Sequence, residues 1–270
     1  VALITGGSNG IGEGCALSLA RCGADIVIAD IDAENGERVK SAVEDLGRKA
    51  IFVPINMMDD SEFEQLIETI KTTFGRLDIL VNNVGGGRPV NLLEQSIKSV
   101  HRHVALNLLS TIFLTQAATP LIINGNRGGA IINVASTEAL RAAPGFAVYA
   151  ACKAGVVSFT KTMALELAEH NIRSFAMAPD MIETPGLSPL MNAASPAQQD
   201  ARDRYIPNGR MGTTKEFGDT VAFLASDLAG YLNGITVPVD AGATAAAGWY
   251  RDPQNNLSLI HISEPTRPIR

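Results

Sequence analysis

Three polar side chains, Ser136, Tyr149 and Lys153, could together do acid–base chemistry. Tyr149 and Lys153 are four residues apart at the start of the run 149–169, whose apolar pattern predicts a helix, so the two side chains share one face. A phenol has a reference pKa of about 10, which an adjacent ammonium lowers by favouring the phenolate. Ser136 ends the strand-like run 130–135, where its hydroxyl could meet a substrate oxygen. Alone, the pair more often means a packed tyrosine and a solvated lysine, so the surrounding elements must decide.

A glycine-rich turn follows the first predicted strand, residues 1–5. It reads Thr-Gly-Gly-Ser-Asn-Gly-Ile-Gly over residues 5–12 and leads into an apolar helical pattern. Such a turn lets backbone N–H groups approach a pyrophosphate at a helix N-terminus, where the partial charge is favourable. Its spacing differs from the standard dinucleotide fingerprint and lacks the Gly-Lys of a P-loop. The strand–turn–helix context predicts a dinucleotide site held by Gly6, Ser8, Asn9, Gly10, Ile11 and Gly12.

An acidic residue, Asp30, follows the second predicted strand, 24–29. It lies 18 positions beyond Gly12, close to the spacing expected for a carboxylate that binds the adenosine ribose hydroxyls. Such a carboxylate repels the 2′-phosphate of NADP, and Asn9 supplies no positive charge for that phosphate. The predicted cofactor is therefore NAD. A helix cap is the weaker alternative, because Asp32 is available for capping.

Strands alternate with helices along the chain. The remaining predicted strands are 50–54, 77–81, 130–135, 172–178 and 235–239, and the main predicted helices are 32–47, 59–74, 97–123 and 214–226. This alternation is typical of an α/β protein, and we predict a single Rossmann-like doubly wound parallel sheet with helices on both faces. The domain is expected to cover residues 1–256, with the polar segment 186–210 as an irregular, mobile lid over the site.

Composition excludes several functional classes. The chain has 270 residues, is 46% hydrophobic and carries a formal charge of −6, which suits one large globular domain. No basic cluster favours a nucleic-acid partner, and the three cysteines and four histidines lack metal-ligand spacing, so no metal is expected. The apolar run 104–123 carries too many polar residues for a membrane span. We expect a cytoplasmic protein with a small-molecule substrate and no membrane partner.

The last residues, 257–270, resemble the translation of an adapter used in sequencing libraries. They begin Leu-Ser-Leu-Ile-His-Ile-Ser. We therefore expect a non-native tail without a role in the chemistry, the alternative being a genuine flexible tail. The chain also opens inside a strand-like run, so we expect further residues to precede it.

Together, the motifs resemble those of the classical short-chain dehydrogenase/reductase family. The resemblance rests on Thr-Gly-x-x-x-Gly-x-Gly at 5–12, Asn-Asn-x-Gly at 82–85, Ser136, and Tyr-x-x-x-Lys at 149–153, in the family's order over roughly residues 1–242. It implies an enzyme that transfers a hydride between a nicotinamide and a secondary alcohol or ketone. It also implies a homotetramer.

The resemblance implies roles for individual residues. Tyr149 would be the acid–base residue, Lys153 would lower its pKa and bind the nicotinamide ribose, and Ser136 would polarise the substrate oxygen. Asn107 would hold a water that links Lys153 to solvent, the alternative being a buried residue bonded to backbone. Further cofactor contacts are expected from Ile31, Asn56, Met57, Asn83, Gly85, Pro179, Ile182 and Thr184.

Four positions depart from the family pattern. Val84 and Ala241, which replace Ala and Gly, are expected to matter little, and the Asn56 amide can still bind the adenine. Asp180 replaces a Gly and puts a carboxylate near the expected nicotinamide site. We expect Asp180 to face solvent, the alternative being that it alters substrate choice or cofactor affinity.

Substrate identity is the point that the sequence defines least. Glu138, Phe146 and Asp180 are expected to line the substrate site with Ser136. A hydroxysteroid or other alicyclic alcohol is the favoured class, because apolar lid surface could come from Met191, Tyr205, Ile206 and Met211; these residues could equally pack the lid. A 3-oxoacyl thioester and a small cyclic alcohol stay open. A non-catalytic NAD-binding scaffold or sensor is the alternative of a different class.

Overall fold

A parallel sheet of seven strands forms the centre of the computed structural model, which describes residues 1–246, 248–251 and 258–260. The strand order is β3-β2-β1-β4-β5-β6-β7. The order reverses between β1 and β4, and a ligand cleft is expected where the carboxyl ends of those two strands diverge. The strands are β1 Ala2–Thr5, β2 Ile26–Asp30, β3 Ala50–Pro54, β4 Ile79–Asn82, β5 Gly129–Val134, β6 Ile172–Pro179 and β7 Thr236–Val239.

Helices lie on both faces of this sheet, so the predicted doubly wound fold is confirmed. A small antiparallel pair, β8 Trp249–Arg251 and β9 Ser258–Ile260, follows it. The rest of the predicted non-native tail, 257 and 261–270, lies outside the described residues. The helices are α1 Gly10–Arg21, α2 Ala33–Asp45, α3 Phe63–Phe74, α4 Ile97–Val104, α5 Ser110–Asn124, α6 Ala147–Glu166, α7 Ser188–Asn192, α8 Pro196–Tyr205, α9 Thr214–Ala225 and α10 Ala243–Ala246.

The core has two layers because the sheet is covered on both sides. Successive residues of β1 enter opposite layers: Ile4 packs in the layer of α1, α2 and α9, and Leu3 in the layer of α3 and α5. This double burial explains why the strands are continuous apolar runs rather than alternating ones. Helix α1 approaches α9 closely, since a Cβ on Gly14 would lie 2.2 Å from the Thr214 carbonyl oxygen.

The predicted helix 97–123 consists of three parts. Helix α4 ends at Val104, a π-helical turn occupies Ala105–Leu109, and α5 begins at Ser110. Such turns are frequent at functional sites, and this one contains Asn107. By length and composition Ile97–Asn124 could cross a membrane, but 50% of its most apolar window is buried inside the fold, as in a core helix.

The lid segment 186–210 was expected to be irregular, and this prediction was wrong. It contains α7 and α8. The Ser195 hydroxyl accepts from the Gln198 N–H at 3.3 Å, and the Gln198 side chain accepts from the Ser195 N–H at 2.8 Å. This reciprocal cap, with Pro196 in the first turn, starts a helix. The same Ser-Pro dipeptide also fits a loop, which is why the helix was missed.

Candidate active site

The glycine-rich turn connects β1 to α1 inside the cleft. Gly6 and Gly10 have φ of 63° and 55°, a left-handed conformation that glycine adopts without strain. A Cβ on Gly12 would lie 2.0 Å from the Gly6 carbonyl oxygen, so only glycine lets α1 begin against the loop. The buried Ser8 hydroxyl has no hydrogen-bond partner among the described residues. An orphaned hydroxyl beside a helix N-terminus fits a loop that receives the polar group of a ligand.

Asp30 lies at the end of β2, beside this loop. Its carboxylate accepts hydrogen bonds from the backbone N–H groups of Ser8 at 3.1 Å and Asp32 at 3.2 Å. Asp32, as expected, caps α2 by accepting from the Asn35 N–H. Asp30 is therefore left to face the cleft, where it belongs to the cavity wall.

A cation also lies near this corner, but it is already paired. The guanidinium of Arg38, on α2, donates to the Ser8 carbonyl oxygen at 3.3 Å and to both carboxylate oxygens of Glu13 at 2.7 and 2.9 Å. The fork geometry of this pair fixes the guanidinium. Arg38 is therefore paired with Glu13, and it does not neutralise the negative charge that Asp30 presents to the cleft.

A cavity of about 600 Å³ runs along the cleft from Asp30 to Lys153. Its walls contain most of the predicted cofactor residues: Gly6, Asn9, Gly10, Ile11, Asp30, Ile31, Asn56, Met57, Asn83, Gly85, Tyr149, Lys153, Pro179 and Thr184. Ser8, Gly12 and Ile182 were also predicted but are not in these walls. Ile182 instead is buried and forms an isolated parallel β-bridge with Gly212.

Several wall residues were not predicted. Most of them are sequence neighbours of predicted residues, as Pro185 is of Thr184, and this adjacency could have identified them. Arg102 reaches the cavity from α4, and no sequence motif points to it. The unpredicted wall residues are Ile55, Met58, Val84, Arg102, Leu106, Val134, Ala135, Pro185 and Gly186.

Strand β5 and helix α6 bring the three acid–base candidates together. Ser136 is 4% exposed just beyond β5, and Lys153 is 2% exposed on α6. The Lys153 ammonium donates to the Val134 carbonyl oxygen at 2.7 Å and lies 5.9 Å from the centroid of the Tyr149 ring. Tyr149 lies near enough to Ser136 for that side chain to affect its pKa. The predicted catalytic group is thus assembled at the inner end of the cavity.

The pKa shifts of Tyr149 and Lys153 differ from the expectation. Burial raises the pKa of Tyr149, the nearby Ser136 side chain opposes that rise, and the Glu138 carboxylate adds to it. Burial also lowers the pKa of Lys153 to about 8. The expected lowering of the Tyr149 pKa by Lys153 is not found in this arrangement. The physical reason is that the ammonium is directed at a backbone carbonyl while burial dominates at the phenol.

Asn107, in the π-helical turn, is completely buried. Its side-chain oxygen accepts from the Gly86 N–H at 2.8 Å, and its amide donates to the carbonyl oxygens of Gly86 and His103, each at 3.1 Å. These backbone bonds agree with the non-catalytic alternative, and the catalytic role stays a prediction. A Cβ at Gly85 would lie 2.7 Å from Lys153 Nζ and 2.9 Å from Asn107 Oδ1, so a larger residue there would displace these two side chains.

Asp180 does not face solvent, so that expectation was wrong. Its side chain is 9% exposed. One carboxylate oxygen accepts from the Arg141 guanidinium at 3.1 Å and the other from the Tyr205 hydroxyl at 2.7 Å. Arg141 also contacts the Tyr205 hydroxyl. These partners lie 39 and 25 residues away in sequence, too far for a local pattern to reveal them.

Glu138 and Phe146, which were predicted to line the substrate site, contact Ser136 and Tyr149. The Ser136 hydroxyl donates to one carboxylate oxygen of Glu138, and Arg141 donates to the other at 3.3 Å. Phe146 packs edge-on against Tyr149, with 6.0 Å between ring centroids. We call Glu138, Arg141, Asp180 and Tyr205 the polar cluster. Arg141 was not predicted.

Most of the residues that were predicted to form an apolar lid surface for a bulky substrate do not form one. Tyr205 directs its hydroxyl into the polar cluster. Ile206 and Met211 are 3% and 7% exposed, so they pack the lid, which was the alternative. Met191 lines a separate cavity of about 290 Å³ between α7 and α8.

Ala241 is not a neutral replacement for glycine. Its φ is 53°, in the left-handed region that costs an L-residue roughly 1–2 kcal/mol. A glycine at this position would carry no such cost, so the backbone conformation argues against the expectation that Ala241 matters little.

The chain is similar over most of its length to known oxidoreductases. A family model described as enoyl-(acyl carrier protein) reductase matches residues 6–244. The 3-oxoacyl-[acyl-carrier-protein] reductase FabG of Thermotoga maritima is 37% identical over 242 residues, covering 90% of this chain and 96% of that protein. The 2-dehydro-3-deoxy-D-gluconate 5-dehydrogenase of Dickeya dadantii is 36% identical over 242 residues, covering 90% and 94%.

Structural comparison agrees. A solved structure from Sinorhizobium meliloti 1021, provisionally assigned as a short-chain alcohol dehydrogenase, matches with a TM-score of 0.85 at 31% identity, over 90% of this chain and 96% of that one. The fold and the cleft define a nucleotide-binding oxidoreductase of the Rossmann type. The chain belongs to the short-chain dehydrogenase/reductase family, whose members bind a nicotinamide cofactor.

Proposed function

We propose that this protein is an NAD-dependent oxidoreductase that interconverts a secondary alcohol and its ketone, with Tyr149 as the acid–base residue. One observation carries the proposal: a single cavity has Asp30 and the glycine-rich loop at one end and the Tyr149–Lys153 pair at the other. A cofactor bound along it would span both ends. The buried Ser8 hydroxyl has no hydrogen-bond partner within the part of the chain that the structure describes, which supports a polar ligand at the loop.

The preference for NAD rests on charge. Asp30 presents a carboxylate at the end of β2, and like charges repel at short range. Arg38, the cation beside the loop, is held by both oxygens of Glu13. A ribose bearing free hydroxyls can donate to Asp30, whereas a 2′-phosphate meets its negative charge.

The residues of the chain handle the proton and the substrate oxygen. When bound, NAD supplies hydride transfer at its nicotinamide. In reduction the Tyr149 hydroxyl donates its proton to the substrate oxygen, and in oxidation the phenolate accepts it. The Ser136 hydroxyl donates to the same oxygen and stabilises the charge that develops there. Lys153 would bind the nicotinamide ribose, and Asn107 has the proposed role of holding a water on the proton path from Lys153.

Binding roles follow from the cavity walls. The N–H groups at the start of α1, from Gly10 and Ile11, would hold the phosphates. Ile31 and Met57 would flank the adenine, with Asn56 beside them. Pro179, Thr184 and the backbone of Ile182 would hold the nicotinamide, and Asn83 and Gly85 would line the middle of the cleft.

Two substrate classes have support. A polar secondary alcohol suits the polar cluster, which places charged and hydroxyl groups beside Ser136. A 3-oxoacyl thioester is the second candidate, favoured by the 37% identity to a 3-oxoacyl-[acyl-carrier-protein] reductase. The hydroxysteroid hypothesis loses support, because such substrates need an apolar wall and Tyr205, Ile206 and Met211 do not supply one.

We also propose a homotetramer that works in the cytoplasm, with interfaces on α5 and α6. Apolar side chains on these helices support the proposal: Phe113 is 36% exposed and Leu165 is 81% exposed. Apolar surface of this kind is typical of oligomer contacts. Light scattering on the purified protein measures the assembly, and a monomer would contradict this part of the proposal.

The proposed activity is tested by following nicotinamide absorbance with NAD and with NADP against a panel of polyols, cyclic alcohols, hydroxysteroids and 3-oxoacyl thioesters. Calorimetry on the same protein measures the binding of both cofactors. We expect turnover of at least one polar alcohol or oxoacyl substrate, with NAD preferred. Tight NAD binding without turnover of any substrate would favour the scaffold or sensor, and a preference for NADP would contradict the role of Asp30.

A further inference from the structure

Glu138 has no role in the chemistry described above, yet it contacts Ser136 directly. The Ser136 hydroxyl donates to one oxygen of the Glu138 carboxylate. The backbone N–H of Glu138 donates in turn to Ser136 Oγ at 3.4 Å, and the neighbouring Thr137 hydroxyl lies 3.5 Å from the same carboxylate oxygen. The side chain of Glu138 is 20% exposed. A half-buried carboxylate is therefore fixed against the hydroxyl that must bind the substrate oxygen.

A serine hydroxyl has one proton to donate. The proposed mechanism needs that proton on the substrate oxygen, and the Tyr149 phenolate is a second acceptor within reach. In this structure Glu138 takes it instead. The same carboxylate opposes a negative charge on Tyr149, since it adds to the rise of the Tyr149 pKa.

Glu138 is held in this place by Arg141, a near neighbour in sequence, and Arg141 is itself held by groups distant in sequence. Arg141 donates to its second oxygen at 3.3 Å, and Arg141 is in turn bound by Asp180 on the loop after β6 and contacts Tyr205 at the end of α8. A carboxylate anchored at both oxygens keeps its orientation without paying further side-chain entropy.

We propose that Glu138 is a positioning residue that competes with the substrate oxygen and with Tyr149 for the Ser136 proton. The inference rests on the proposed acid–base role of Tyr149. A substrate that enters the site must displace the Ser136 hydroxyl from Glu138 before Ser136 can donate to the substrate oxygen. Replacement of Glu138 by Gln leaves only a neutral amide oxygen as acceptor, which is weaker than a carboxylate, so the Ser136 proton is more readily donated to the phenolate.

Other charges around Tyr149 stay unchanged in that variant. Lys153 lies on the same helix. His103, from α4, borders the same space, because a Cβ on Gly87 would lie 3.1 Å from the His103 ring and 3.4 Å from the Tyr149 ring. Arg141 binds Glu138 and Asp180, and both of these charged groups also stay in place in the variant. A change in the titration of Tyr149 would therefore report on Glu138.

Ultraviolet titration of phenolate absorbance in the protein without cofactor tests this directly. Subtracting the curve of the matching Tyr149→Phe protein isolates Tyr149 from the other three tyrosines. In Glu138→Gln, Tyr149 is expected to titrate about one pH unit lower than in the parent. Glu138→Asp, which keeps the charge, is the matched control and is expected to stay close to the parent. The acid limb of the pH profile for alcohol oxidation should move in the same direction, because oxidation needs the phenolate.

Two outcomes separate this inference from the proposed function. If Tyr149 titrates at the same pH in Glu138→Gln and in the parent, Glu138 has no positioning role, while the catalytic assignment of Tyr149 stands. If Tyr149→Phe keeps full activity, the proposed function fails, although the titration shift can still be measured because it needs no turnover. A purely structural role for Glu138 would lower stability in Glu138→Gln without moving the Tyr149 titration.

Discussion

The two ends of the cleft are built by different means. At the cofactor end, the loop between β1 and α1 works through its backbone: Gly6 and Gly10 take left-handed conformations and Gly12 allows close approach. At the substrate end, side chains from three separate segments meet in the polar cluster. A site formed by backbone groups depends on a short local motif, whereas the polar cluster depends on contacts between side chains that are far apart in sequence. A family can therefore keep the first end and vary the second.

The largest expected effect lies where the two ends meet. Lys153→Met removes the ammonium that donates to the Val134 carbonyl and lies near the Tyr149 ring. We expect kcat to fall by at least about 100-fold, the usual contribution of a proton-transfer group. Steady-state kinetics measure this fall. Lys161→Met, an exposed position on the same helix, is the matched control, and equal activity of the two variants would contradict the role of Lys153.

The cofactor end is tested by Asp30→Asn. Removing the carboxylate removes repulsion of the 2′-phosphate, so the ratio of NADP to NAD efficiency should rise about tenfold, equivalent to about 1.4 kcal/mol. The KM for the alcohol should change little. Asp32→Asn is the control, because Asp32 caps α2 rather than facing the cavity. An unchanged cofactor ratio in Asp30→Asn would show that another residue sets the preference.

The substrate end is tested by Asp180→Asn. The variant removes a buried charge from Arg141 and Tyr205, which we expect to lower the free energy of unfolding by about 1–3 kcal/mol. Urea denaturation measures this loss. The affinity for NAD should stay within about twofold, because the cluster lies outside the cofactor cavity.

The control for this variant is Asp203→Asn. Asp203 is bound to Arg202 in α8 and its side chain is 41% exposed, so its loss should cost less than about 1 kcal/mol. If NAD affinity falls as much as stability in Asp180→Asn, the two ends of the cleft are not independent.

The smallest effect is expected at Ala241→Gly. Ala241 has a φ of 53°, so glycine relieves strain but loses more backbone entropy on folding. The net effect is expected to raise the free energy of unfolding of the variant by about 0.5–1 kcal/mol, which calorimetry would show as a higher Tm. A lower Tm would show that the Ala241 methyl packs well enough to offset the strain.

The sequence was sufficient for the sheet and for the loop of the cofactor site. Apolar runs marked each strand of the sheet, and the glycine spacing with Asp30 marked the cleft. These features depend on neighbours in sequence. The π-helical turn at Asn107 could not be predicted, because it arises from packing within a helix whose apolar pattern is continuous.

The polar cluster could not be predicted for a different reason. Asp180, Arg141 and Tyr205 pair across separate segments, and nothing in the spacing of such residues says which of them meet. The pKa of Tyr149 also depends on contacts between distant segments. Burial and Glu138 raise this pKa, whereas Lys153 alone would lower it. Local sequence therefore predicted which residues meet at the site but not the pKa shifts that burial and distant partners impose on them.

The central claim is that Tyr149 transfers the proton in an NAD-dependent reaction. Its most direct test compares the parent with Tyr149→Phe on one active substrate, with NAD affinity measured on both proteins. We predict a fall in kcat of at least about 100-fold with NAD affinity within about threefold, while Tyr231→Phe, at a fully exposed position, matches the parent. Turnover by Tyr149→Phe at the parent rate would contradict the account.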